Sequence, residues 1–170
     1  LLVDRHANLL THCSGGYTPL FHASVHGQLE IVKWMIGILK DSGQLSDAVN
    51  AVRDNGVSVL MAACHKGHTD VVELLLDAGA NQDYLHNGMS ALHYGIASGQ
   101  LPVCQLLVDR HPNLLTHCAD GYTPLCHASG HGQLEIVKWM IGKLDPDQLS
   151  DAVNTVRDNG ISVLMAACHK

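Results

Sequence analysis

One block of residues occurs twice, almost letter for letter. GYTPLFHASVHGQLEIVKWMI runs from Gly16 to Ile36, and GYTPLCHASGHGQLEIVKWMI from Gly121 to Ile141. Looser versions begin at Gly56 and Gly88, and Gly160 opens a further one. A chain that repeats itself at such short range builds a stack of units, each burying its apolar face on its neighbours. The block has a physical order. Gly121 suits a tight turn that needs a residue free to take positive φ. Thr123 can cap the helix that follows, and Pro124 suits its first position. That helix ends near Gly130, Gly132 breaks the chain, and Leu134 to Ile141 reads as a second helix. The first copy predicts the same pair near Pro19–Val25 and Leu29–Leu39.

A longer period lies over the short one. Residues 1–39 match 106–144 at 33 of 39 positions, and 44–66 match 148–170 at 21 of 23. The duplicated unit is therefore about 105 residues, three repeats long. The whole chain, 1–170, reads as a single array with partial repeats at both ends. Its two copies, 1–66 and 106–170, are joined by 67–105. It opens in LLVDRH and stops in LMAACHK, both interior to helix patterns, so it reads as a window of a longer array. After Leu39 and Leu144 the units carry extra residues. Leu149, Ala152, Val153 and Val156 form one apolar stripe, which predicts a short additional helix near Pro146–Val153. Its counterpart is expected near Gly43–Val49. Asp145 caps the later one, and Asp41 or Ser42 is expected to cap the earlier. In the second helices, Ile31, Val32, Met35, Ile36 and Leu39 are expected to share a core face. So are Val71, Val72, Leu75 and Leu76, with Lys33, Glu73 and Lys138 turned outward.

Composition narrows the function classes. Aromatic residues make up only 4% of the chain, which suits thin aliphatic layers better than one large core. The formal charge is −6 and the ten Lys and Arg form no run, so nucleic acid is not expected as a partner. No apolar stretch approaches the length of a membrane span. The six cysteines make no CxxC pair, and equivalent positions a full period apart do not suit disulfides. They read as reduced, mostly buried thiols, which favours a cytoplasmic or nuclear setting. There is no phosphate loop, GxSxG or HExxH, so no catalytic residue and no cofactor is assigned and the chain is not read as an enzyme. His22–His26 and His127–His131 are HxxxH pairs whose spacing would put two rings on one helix face, as zinc requires. A third ligand is not apparent, and no metal residue is assigned.

The combination TPLFHA or TPLCHA followed by HGQLEIVKWM resembles the ankyrin repeat, and the patterning covers essentially the whole chain. The resemblance implies an all-α solenoid of stacked helix-turn-helix units, each a hairpin-like turn and two antiparallel helices. It implies partner binding through the turn tips and the concave face of the first helices. Carried over position by position, the partner-binding candidates are Tyr17, His26, Asp54, Asn55, His65, Lys66, Met89, Asp120, Tyr122, His131, Asp158 and Asn159. Tyr17 and Tyr122 lead this group, because tyrosine at an exposed tip suits a binding hot spot. The implied partners are other proteins or further copies of the chain, which leaves two functions: a non-catalytic scaffold, or a self-assembling fibre or spring. The pattern also departs from the family. The family's histidine after TPL is present only as His93; Phe21, Cys126, Met61 and Met165 replace it elsewhere. The link between repeats that this histidine makes is expected to be missing or re-routed in most units. His26, His65, His131 and His169 are expected to form a row with Lys66 and Lys170, gaining charge as pH falls below neutrality.

Overall fold

Each unit begins with a side chain that stops the preceding turn and starts a helix. In the computed structural model, which describes residues 14–116 and 123–154, Thr18 Oγ1 accepts the Phe21 N–H at 3.1 Å. Ser58 Oγ accepts from Met61 N at 3.2 Å, and Thr123 Oγ1 from Cys126 N at 3.1 Å. Ser90 forms a capping box with His93. These caps satisfy donors that the first helical turn leaves open. The first helices that follow are α1 (Pro19–Val25), α4 (Val59–Lys66), α6 (Ala91–Ala97) and α8 (Pro124–Gly130). The second helices are α2 (Leu29–Asp41), α5 (Thr69–Asp77), α7 (Leu101–Arg110) and α9 (Leu134–Lys143). The two short additional helices are α3 (Leu45–Val49) and α10 (Pro146–Asn154). No strand occurs among the described residues, and the turns contribute only isolated bridges, Val52 with Ser58 and His86 with Met89.

The core is a series of aliphatic layers. Leu20, Val32 and Leu39 are buried in the first unit; Leu60, Val72 and Leu75 in the second. Leu92, Ile96 and Leu107 continue it, followed by Leu125, Ile136 and Met140. First helices lie closer to one another than second helices do, which makes the first-helix side the concave side of the stack.

Two expectations are corrected. Ile31 is 46% exposed, not part of the core face. Counted from the residue before each second helix, Val71, Val103 and Ile136 hold the same place, and all three are buried. Each of those has a preceding unit packed beside it. Ile31 has none among the described residues. Trp34, 58% exposed, follows the same rule against half-buried Trp139.

Neither Asp41 nor Ser42 caps α3. Asp41 is the last residue of α2, and Ser42 ends that helix, its Oγ donating to Leu39 O at 3.0 Å. Gln44 precedes α3 and makes no side-chain cap. In the second copy the sequence is Asp145-Pro146-Asp147, and proline pushes the residue before it out of the helical region. There Asp145 Oδ1 accepts Gln148 N at 2.7 Å while Gln148 Oε1 accepts Asp145 N at 3.2 Å, a reciprocal cap.

In two units a link between repeats comes from the residue before the second helix. His68 Nε2 meets Val25 O of the preceding unit at 3.0 Å, and Gln133 Nε2 donates to Ala97 O at 3.5 Å. His93 Nδ1 accepts from Ser90 N of its own unit at 3.3 Å, and its ring meets His127 of the next unit at 5.2 Å.

Candidate protein-interaction face

The turn tips and first helices build one continuous surface. At its start Gly16 holds φ +72, and a Cβ there would lie 2.5 Å from Arg53 Cα, so only glycine lets the two tips close. That contact brings Arg53 over Tyr17. The guanidinium carbon lies 3.8 Å from the Tyr17 ring centroid, and Nη2 donates to the Tyr17 hydroxyl. Tyr17 also packs edge-on to Phe21 at 5.6 Å and stacks with His22 at 5.3 Å. His22 in turn stacks with His26 at 6.2 Å. Tyr17 nevertheless keeps 36% of its surface exposed, so its packing leaves a face to offer.

Beside this stack runs a groove of about 320 Å³ shared by three units. Phe21, Val25, Val57 and Ala62 supply its apolar lining, with Tyr17, Arg53, His65, Lys66 and Tyr94 around them. Tyr94 is fixed from the next tip, its hydroxyl 2.7 Å from His86 Nδ1, and His65 meets its ring edge-on at 6.5 Å. Partial burial, and secondarily Tyr84 nearby, push the Tyr94 hydroxyl's pKa up, so it stays neutral at physiological pH.

The sequence-derived candidates divide. Tyr17, His65 and Lys66 come together at the groove. Asp54 and Asn55 are exposed at the neighbouring tip; Asp54 N donates to Gly15 O at 3.4 Å, and Asn55 Oδ1 accepts Val57 N at 3.2 Å. Met89 is half-buried in the third tip. His26 and His131 both follow the last residue of a first helix, a place that, counted from the helix N-caps, Lys66 and Ser98 hold in the two units between. His65 sits one residue earlier than that place, inside α4. The row is therefore broken rather than continuous. His26 Nδ1 is engaged with His22 O at 2.8 Å, and the His131 ring lies 4.4 Å from that of His127. Asp120, Tyr122, Asp158, Asn159, His169 and Lys170 lie outside the described residues. Sequence reasoning missed Arg53, Phe21 and Tyr94. Tyr94 was open to discovery, because it occupies the same helical place as His22. No group of acid, His and Cys side chains suited to a metal ion occurs among the described residues.

Three family patterns match the chain. One described as Ankyrin repeats (3 copies) covers residues 38–114, Ankyrin repeats (many copies) covers 96–141, and Ankyrin repeat covers 15–41. The chain belongs to the ankyrin repeat family. Among its ankyrin relatives, a mouse protein fem-1 homolog A-like is 38% identical over 51% of this chain and 13% of its own length. A rice probable E3 ubiquitin-protein ligase XBOS32 is 35% identical over 90% of this chain and 28% of its own. The ankyrin repeat protein nuc-2 of Neurospora crassa is 29% identical over 85% of this chain and 13% of its own. The chain thus spans well under a third of each. Ankyrin repeats are non-catalytic modules of protein–protein interaction, and this array is such a module. Among the described residues no helix is long and apolar enough to cross a membrane.

Proposed function

We propose that the array is a scaffold that captures a partner protein on its concave first-helix face, centred on the groove beside Tyr17. The observation that carries this reading is the shared groove. Tip, first helix and neighbouring unit converge there, and an aromatic residue remains exposed among apolar side chains, a surface that contributes strongly to binding once covered. The buried thiols Cys64, Cys104 and Cys126 support a cytoplasmic or nuclear setting.

The test is a pull-down with the intact chain, the bound protein then titrated against substituted forms. Tyr17→Ala and Lys66→Glu are expected to weaken capture, and Lys138→Glu, on α9, to leave it unchanged. Equal capture by all forms would remove the groove from the account. A second reading, end-to-end self-assembly, draws support from exposed apolar residues: Ile31 and Trp34 on α2, Leu134 and Ile141 on α9. Sedimentation across a concentration series decides it: Trp34→Glu abolishes association if the reading holds.

A further inference from the structure

Four of the five cations on the second helices are ion-paired, Lys40 being the exception among the described residues. On the second helices, Lys33 pairs with Glu30 at 2.8 Å and Lys138 with Glu135 at 2.9 Å. Arg110 reaches both Asp77 at 2.5 Å and Glu73 at 3.2 Å, and Lys143 meets Asp109 at 3.6 Å. At the groove the pattern reverses. Arg53 and Lys66 make no ion pair among the described residues, in a chain whose formal charge is −6. Arg53 is held by the Tyr17 ring and hydroxyl rather than by a carboxylate, and its Nε is buried without a hydrogen-bond partner. The four first helices, PLFHASV, VLMAACHK, ALHYGIA and PLCHASG, contain no acidic residue. The nearest acids in sequence are Asp54, next to Arg53, and Asp70, four residues past Lys66; both are exposed and in no ion pair among the described residues.

We infer that the groove takes an acidic peptide segment of a partner protein, a side-chain carboxylate next to an aromatic or branched aliphatic residue. The inference rests on the proposed binding role and adds the chemistry of what is bound. The guanidinium held over the Tyr17 ring is a planar, permanently charged donor, which suits a carboxylate. Lys66, at the end of α4, adds a second positive charge. Phe21, Val25, Val57 and Ala62 give the neighbouring apolar side chain a surface to cover. A basic segment would meet two cations that make no ion pair among the described residues and no acid on the four described first helices, so the same surface disfavours it.

The experiment selects random dodecapeptides, displayed with fused C-termini so that only side-chain carboxylates are offered, against the full 170-residue chain. Synthetic winners are then titrated by fluorescence anisotropy against wild type, Arg53→Gln, Lys66→Glu and Lys138→Glu. Winners are expected to carry Asp or Glu beside Phe, Trp, Leu or Ile. Their Kd is expected to rise about tenfold or more with Lys66→Glu, to rise with Arg53→Gln, and to stay unchanged with Lys138→Glu. Lys66 is an exposed helix-end residue, so its variant keeps the test valid even if Arg53→Gln disturbs the Tyr17 contact. Winners that are basic or uncharged, or that bind Lys66→Glu as tightly as wild type, overturn the inference. If such winners are lost with Tyr17→Ala or Tyr94→Ala, the binding face stands and only its acidic preference falls. Winners indifferent to every first-helix substitution, or no winners at all, remove both.

Discussion

Gly67 answers two demands at once. Its φ is +78, and a Cβ there would lie 2.1 Å from Gln100 Oε1 of the next unit. Gly37, inside α2, meets neither, since nothing lies within 4 Å of its added Cβ. Gly67→Ala is therefore expected to lower stability by about 1–3 kcal/mol, whereas Gly37→Ala raises it by about 0.5–1 kcal/mol, both read from urea unfolding. Gly67 holds the place of Gly132, where the sequence predicts a break, but the approach of Gln100 depends on how units stack. The same limit hid Arg53. Tyr17 was legible as an aromatic at a tip; its cationic partner lies 36 residues away and is brought in only by the meeting of two turns. The thiols give a pH prediction. Burial pushes Cys104 from 9.0 up to about 12, with a backbone hydrogen bond opposing, and burial pushes Cys64 up, aided by Cys104. Each folded value exceeds the unfolded one, so the stability from keeping these thiols neutral is full below pH 9. It is lost as pH rises from 9 toward 12. Unfolding midpoints are expected to fall across that window, less steeply in Cys104→Ala. Both native thiols are expected to resist iodoacetamide until the chain unfolds.

At the scale of elements, capping and periodicity carried most of the information. Thr18 and Thr123 with the prolines after them marked the starts of α1 and α8, and the apolar stripe marked α10. Where the copies diverge, local signals were ambiguous. Lys40-Asp41-Ser42-Gly43 contains two good capping types, yet α2 runs on through Asp41, and Gly43 at φ +74 closes it, with Gln44 N donating to Leu39 O at 2.9 Å. Only proline at 146 forces the earlier break in the second copy. Asp145→Ala is accordingly expected to cost about 1 kcal/mol and to speed amide exchange at the start of α10. Unchanged exchange there would mean that packing of Ala152, not the cap, holds this helix.

Across the described residues, one residue's worth depends on how far its neighbours in the stack bury it. Ile31 and Ile136 are the same residue at the same helical place in near-identical copies, but one is 46% and the other 2% exposed. Ile136→Ala is expected to cost about 2–5 kcal/mol and Ile31→Ala under about 1 kcal/mol, measured by denaturant unfolding. Helical periodicity alone treats the two alike, which is why Ile31 was assigned to the core. The stack also concentrates acids and ion-paired cations on the second helices, while Arg53 and Lys66, in no ion pair among the described residues, lie beside an apolar groove. The most direct measurement of that division is amide hydrogen exchange on the full chain, with and without the partner recovered by pull-down. Protection is expected at the Tyr17 tip, along α1, at Arg53–Val57 and at the Lys66 end of α4, with α2, α5 and α7 unchanged. Protection confined to α2, α5, α7 and α9 would contradict binding on the first-helix face.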